Sequence, residues 1–458
     1  MIPGEIFARR IKRSYITYLL IIINTIIYMA TSYSDYFITA DPNIYWEYTF
    51  IPGYLGSLNG WFRIFTSMFL HANIIHIFFN MYFLYIFGRY VESFLGSVRY
   101  ALLYLISGFI AAMMHTSMIP VEGLVNLGIS ALGASGAISG VLGAFLLLYP
   151  GARMTFCIPI FIIPFCGVTS SDFFILFWFA LQVIYGLLQV GSVAFFAHVG
   201  GFLAGIVLVY VLGRNLVSRE SYLYGFFNRF SEGLFGLRLS RRGLGSISRT
   251  VLLVLIIIVV VALIYSAFLS LAEAYVYPLH ISASVSTSGG VMDSRAVIIL
   301  VLEKSSSQSI VAPIVSDIIR VLFNRLYSAG YIVNSSLAGY SGGIYYKGYI
   351  EIVGVKAPPV YLELQMSRAT YDSLGVILYG SGSASTDLLN CNPYGVCSLS
   401  GLWRYSYFEI NSLGLEILSK LMLIPMTLSF VISIGSLIIV LGRYDQIISL
   451  STEESIFS

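Results

Sequence analysis

Gly133-Ala134-Ser135-Gly136-Ala137-Ile138-Ser139-Gly140 opens an apolar stretch that runs on to Tyr149. Ala197-His198-Val199-Gly200-Gly201-Phe202-Leu203-Ala204-Gly205 opens another. Each puts one reactive side chain, Ser135 or His198, near the start of a segment that is otherwise aliphatic and glycine-rich. Whether those two starts lie at the same level is decided by the rest of the chain.

Of 458 residues, 58% are hydrophobic and 10% charged, where a soluble domain carries about 25% charged residues. The chain therefore reads as a polytopic membrane protein. Runs of roughly 20 apolar residues are long enough to cross a ~30 Å hydrocarbon core as helices, which satisfy their own backbone hydrogen bonds. Eight such runs are expected, at about 14–33, 67–87, 100–118, 130–149, 172–190, 195–213, 251–272 and 415–441. The first is too long for a signal peptide and lacks a small-residue cleavage site.

Basic residues set the expected orientation. Arg9, Arg10, Lys12 and Arg13 hold the N-terminus in the cytoplasm. Counting crossings from there puts Arg89 and Arg99, Arg153, the arginine-rich 214–249 segment and Arg443 on the same side. The net charge of +3 is explained by topology and anionic lipid, and nucleic acid is not an expected partner.

Spans two, four and six then all enter from the outer face. Residues near their starts share one depth, on the order of 5–10 Å below the outer surface at 1.5 Å per residue. Span two brings His71, His76 and Asn80 to that layer, span four Ser135 and span six His198, so three of the five histidines fall in it. An isolated serine in such a helix more often bonds back to its own i−4 carbonyl. A lone intramembrane histidine is more often structural or part of a proton path, and His71 is read as structural, tying the first outer loop to span two. Glycines four apart are packing devices. Gly136 and Gly140 facing Gly201 and Gly205 would bring a serine hydroxyl within reach of an imidazole, about 2.6–3.2 Å.

His76 and Asn80 lie at i and i+4 on one helix face, and both can donate hydrogen bonds. With the Ser135 N–H they form the expected hole for a developing oxyanion. Metal binding competes for two histidines, but no carboxylate or thiolate accompanies them, and no metal or other cofactor is expected. The constellation points to peptide-bond hydrolysis inside the membrane.

The chain resembles the rhomboid intramembrane serine proteases over about residues 14–213. The matching pieces are His71-Ala-Asn-Ile-Ile-His76-Ile-Phe-Phe-Asn80-Met81 with Gly88 and Val91-Glu92 after it, Gly133-x-Ser135-Gly136-Ala137, and Ala197-His198-x-x-Gly201-x-x-x-Gly205. Arg63 and Tyr149-Pro150-Gly151-Ala152-Arg153 also fit. The resemblance implies Ser135 as nucleophile, His198 as general base and then acid, and His76 and Asn80 as oxyanion-hole donors. It makes Arg63 and Glu92 structural. The implied substrates are single-pass transmembrane proteins cleaved near the outer face. They would enter between spans two and five, with Phe79, Trp178 and Phe179 as gate residues. Many relatives place an aromatic residue four positions after the nucleophile, against the histidine ring. Here that position is Ser139, which leaves the orientation of His198 open.

The expected fold class is an all-α polytopic membrane protein. A six-helix rhomboid-like core (1–213) leads through a basic, interfacial cytoplasmic linker (214–249) to a seventh helix (250–273). A soluble extracytoplasmic α+β domain (274–413), an eighth helix (414–443) and a cytoplasmic tail (444–458) follow. Within 274–413, Arg295–Glu303, 344–354 and 360–366 read as strands and Ile310–Tyr327 as a helix. Cys391 and Cys397 fit a disulfide in an oxidising compartment better than a zinc site. The plasma membrane is the expected location, and the outer domain the expected binder of a protein partner. The alternative is a catalytically silent rhomboid-like membrane protein that binds clients through that domain. A transporter has less support, since neither an internal repeat nor a mid-membrane acidic residue is evident.

Overall fold

The computed structural model describes residues 2–7, 14–41, 47–160, 163–191, 193–213, 244–287, 290–303, 309–311, 316–353, 357–391 and 397–442. Among them, seven helices are long and apolar enough to cross a membrane. They are α1 (Tyr15–Ser32), α3 (Ile74–Leu95), α4 (Ser97–Glu122), α6 (Ser171–Leu188), α7 (Phe195–Gly213), α8 (Ser246–Leu269) and α10 (Leu418–Leu441). Between them come the short α2 (Leu58–Ser67) and α5 (Ser135–Leu148), the latter 14 residues long, too short to count with the seven.

Three expected boundaries move. The stretch expected to begin at 67 starts only at Ile74, because α2 ends at Ser67 and a turn that holds His71 separates it from α3. The cause is local: Asn73 caps α3, its side chain accepting from the His76 N–H at 2.9 Å, which fixes the helix start there. At the other end α3 runs on through one π-type turn, Leu84–Gly88, to Leu95. The fourth stretch begins only at Ser135, because Gly133 has φ +114°, a backbone no helix continues through.

Glu92 joins the first two long helices. Its buried carboxylate accepts from Ile16 N, Thr17 N, Thr17 Oγ1 and Ser97 Oγ at 2.6–2.9 Å, so it caps the start of α1, where first-turn N–H groups have no intrahelical partner. The arginines expected to hold the N-terminus and the linker (9–13 and 214–243) lie outside the described residues, as does the tail beyond 442.

The chain is not all-α. A small antiparallel sheet of β1 (Ile2–Phe7), β2 (Arg153–Ile160) and β3 (Ile163–Ser170) lies between α5 and α6. The C-terminal part is sheet-rich. Eight antiparallel strands are β4 (Ala274–Thr287), β5 (Gly290–Glu303), β6 (Ser309–Val311), β7 (Ser341–Ile350), β8 (Val360–Tyr371), β9 (Ile377–Cys391), β10 (Cys397–Ser412) and β11 (Glu416–Ile417). They lie in the order β6-β5-β4-β10-β9-β8-β7, with β11 also on β4. The helix expected from Ile310 is instead strand β6 followed by α9 (Asp317–Ser328). Ile319, Leu322, Phe323 and Leu326 of α9 are buried in one cluster with Leu279, Ile281, Ile298 and Leu300 of the sheet.

The sheet domain is docked on the helical core. Ala274, Val276, Ile299 and Val301 share a buried cluster with Phe50, Ile51, Tyr54, Leu55 and Leu127 from the loops beside α2 and after α4. Small hydroxyl residues seat the helices around it. Ser117 Oγ lies 2.9 Å from Ser429 Oγ, and Ser436 Oγ donates to Leu203 O at 3.0 Å. Such bonds satisfy side chains that lipid cannot.

Candidate active site

Ser135 is the first residue of α5. Its N–H therefore belongs to the first-turn donors that the helix leaves unpaired. The carbonyl of Ser135 accepts from Ser139 Oγ at 2.7 Å, so Ser139 is spent on its own helix. The Ser135 hydroxyl meets a different partner: Oγ lies 2.8 Å from Nε2 of His198.

Backbone contact brings them together. A Cβ on Gly201 would collide with the carbonyl of Gly136, and one on Gly205 with the carbonyl of Gly140. α5 and α7 thus touch main chain to main chain along two successive turns. The four glycines lie where the sequence spacing puts them. Gly143 adds a third such contact, against Phe202 O.

His198 is held at its other nitrogen. Nδ1 lies 2.8 Å from Oε1 of Gln182, a buried residue of α6. Sequence reasoning missed Gln182. The available signal was a lone amide in the aromatic and aliphatic run 173–188, one turn after Trp178. The Trp178 ring is 6.1 Å from the His198 ring between centroids. Phe179 is fully buried and stacked on Phe202 at 4.2 Å, which makes it a core contact, not a gate. Phe79 is 40% exposed and lines the cavity.

That cavity, about 750 Å³, is lined by Ser135, His198, His76, Asn80 and Gly133, and further along by His115 and Glu122. Ala72 N–H donates to His76 Nδ1 at 3.4 Å. The ring proton of a neutral His76 is then on Nε2. A Cβ at Gly133 would lie 2.8 Å from that Nε2 and 3.6 Å from Asn80 Nδ2, so both donors converge on the space that glycine leaves beside Ser135. Asn80 Nδ2 is buried and has no hydrogen-bond partner among the described residues. His71 is fully buried and packs edge-on against His76, 5.1 Å between centroids, in a turn whose Ala72 carbonyl accepts from Ala40 N–H of the outer loop at 3.1 Å. Arg63 is buried with its guanidinium 4.8 Å over the Tyr54 ring, away from the dyad. Among the described residues no group of three or more His, Cys, Asp or Glu gathers as a metal site.

The rhomboid domain family matches residues 58–215. The chain carries a rhomboid domain. Relatives of the rhomboid domain come from distant organisms. RHOMBOID-like protein 6, mitochondrial, of Arabidopsis thaliana is 35% identical over 150 residues, 33% of this chain and 43% of that protein. Putative rhomboid protease YdcA of Bacillus subtilis is 36% identical over 107 residues, 23% of this chain and 50% of that protein. Rhomboid-type serine protease 2 of Emericella nidulans is 32% identical over 151 residues, 32% of this chain and 26% of that protein. The chain spans half or less of the length of these relatives. With its apolar helices, it is an integral membrane protein.

Proposed function

We propose that this rhomboid is an intramembrane serine endopeptidase acting on transmembrane proteins, with Ser135 as nucleophile and His198 as base. The observation that carries the reading is the 2.8 Å approach of Ser135 Oγ to His198 Nε2 inside a cavity. In the first half-reaction Oγ attacks the scissile carbonyl carbon as its proton passes to Nε2. The carbonyl oxygen becomes an oxyanion facing Asn80 Nδ2, His76 Nε2–H and the Ser135 N–H. Donors preorganised in a dry site are worth about 2.7–4 kcal/mol each in such a step. Collapse expels the amine, which takes the proton from His198, and water then repeats the sequence to free the acid from Ser135.

Single-pass membrane proteins are the proposed substrates, reaching the cavity past Phe79 and Trp178, with an outer-facing site and cytoplasmic termini in the plasma membrane. Residues 274–413 are proposed to receive a protein partner or the substrate's soluble part. Cys391 and Cys397 stand opposite each other in the β9–β10 register, although the Cys391 side chain lies outside the described residues. A disulfide there is proposed, and a non-reduced peptide map with one cross-linked peptide is its test.

Labelling of the full-length, detergent-solubilised protein with a fluorophosphonate tests the main reading. Wild type labels, Ser135→Ala does not, and His198→Ala labels far more slowly. Folded wild type that stays unlabelled, with probe entry to the cavity verified, would leave the silent client-binding scaffold as the better reading.

A further inference from the structure

We infer that Gln182 is the positioning residue of the His198 base, the third member that the Ser135–His198 pair otherwise lacks. The inference rests on the proposed dyad and goes beyond it by naming what fixes the tautomer.

An imidazole serves as base to a serine only if the nitrogen facing the hydroxyl carries a lone pair. Nothing in a bare Ser–His pair enforces that, since the neutral ring has two tautomers. Here the choice follows from a chain of donors and acceptors. Gln182 Nε2 donates to Trp178 O at 3.3 Å, one turn earlier on α6. An amide nitrogen has only donors, so this bond turns Oε1 away from that carbonyl and towards the ring. Oε1 in turn sits 2.8 Å from His198 Nδ1 and, having only lone pairs, requires the ring proton to be on Nδ1. Nε2 is then the acceptor, 2.8 Å from Ser135 Oγ.

The scaffold for this is rigid. Gln182 is 7% exposed, and its helix is fixed against α7 by Phe179 stacked on Phe202. The hydroxyl of Ser139 is bonded back to Ser135 O, so Gln182 is the polar side chain that fixes the outer edge of the ring. A neutral amide differs from a carboxylate in this role. It selects the tautomer and the ring plane but adds no full charge to stabilise the imidazolium.

The test is the rate of fluorophosphonate labelling of the full-length protein as a function of probe concentration and pH. Gln182→Leu removes the acceptor at similar volume. The maximal labelling rate is expected to fall roughly ten- to a hundredfold, the worth of a buried hydrogen bond whose loss strands the other partner, with the half-saturating probe concentration unchanged. Gln182→Glu restores the acceptor, so labelling recovers, and its carboxylate beside Nδ1–H moves the acid limb of the rate profile to higher pH. A merely structural residue would lower thermal stability in both variants without that rescue or shift. Wild-type labelling rates in Gln182→Leu, or equal losses in Leu and Glu variants together with their melting temperatures, overturn the inference while the dyad stands. Labelling that survives Ser135→Ala would instead overturn the dyad, and this inference with it.

Discussion

Tyr54 Oη and His280 Nε2 lie 2.6 Å apart although 226 residues separate them, and this bond ties the sheet domain to the core loop beside α2. The Arg63 guanidinium lies 4.8 Å over the ring of the same tyrosine. Burial and the nearby Arg63 guanidinium hold the His280 pKa below its ordinary 6.5. The docked form thus binds fewer protons than the undocked one, and docking is at full strength above about pH 6.5 and weakens as pH falls below it. The protection factors of residues 50–55, which correct for the intrinsic pH dependence of amide exchange, should fall between about pH 7.5 and pH 5.5, and His280→Leu should flatten that dependence. Equal protection across the range in wild type would show that His280 does not couple docking to pH.

The bond is not what holds the domain on. A hydrogen bond contributes about 1 kcal/mol net, whereas each fully buried Val or Ile contributes about 1.5–3 kcal/mol. Ile299 and Val301 are both buried against the loop residues Phe50 and Leu127. Tyr54→Phe is therefore expected to leave the domain docked, while Ile299→Ala costs about 2–5 kcal/mol. Limited proteolysis within residues 47–57 separates the two, and equal cleavage of both variants would contradict the ranking.

The glycine contacts between α5 and α7 make a third prediction. Alanine favours a helix over glycine by about 1 kcal/mol, so Gly205→Ala would stabilise an isolated helix. In the folded protein its Cβ meets the Gly140 carbonyl, which is main chain and cannot swing aside. Overpacking of this kind costs about 1–3 kcal/mol or more, so the melting temperature should drop for Gly205→Ala and Gly201→Ala. Gly435→Ala, inside α10 with Val207 Cγ2 at an ordinary 3.4 Å as its nearest neighbour, is the matched control and should not drop.

What the sequence carried and what it did not divides along contact range. Ser135, His198 and the four glycines sit at fixed intervals on helices, and periodicity plus charge bias is enough to bring them to one level. Asn73 shows the limit: a cap residue within an apolar-looking stretch moves a helix start by most of two turns. Gln182 and the Tyr54–His280 bond were not legible, because each depends on which faces of distant elements meet. Strands β4, β9 and β10 were missed for other reasons. In β9 and β10 the Ser, Gly and Tyr content gives little regular alternation, and pairing with neighbours makes them strands, whereas Leu279–Ser286 of β4 alternates strictly and carried a signal that was overlooked.

Gly133 makes a prediction about the site alone. Its φ of +114° already disfavours any side chain, and its Cβ would crowd His76 Nε2 at 2.8 Å. Gly151 supplies the comparison, with φ +76° and open space around a Cβ. Both alanine variants should carry backbone strain of about 1–2 kcal/mol. Only Gly133→Ala should also push the imidazole aside and abolish fluorophosphonate labelling. Loss of labelling in both variants would mean that strain, not the blocked space, is responsible.

Asn80 argues the same site from its cost. A buried donor without a partner is unfavourable by about 1–3 kcal/mol, and Asn80 Nδ2 is such a donor among the described residues. If that amide is kept for an oxyanion, removing it should help the resting fold and harm the chemistry, as strained active sites do. Asn80→Leu is thus expected to melt at or above the wild-type temperature while turnover of a transmembrane substrate falls about 10²- to 10³-fold. His76→Ala should lower turnover similarly but without the gain, because His76 Nδ1 already accepts from Ala72 N–H and that bond is lost. An Asn80→Leu variant that melts earlier yet cleaves normally would make Asn80 a packing residue and remove it from the oxyanion hole.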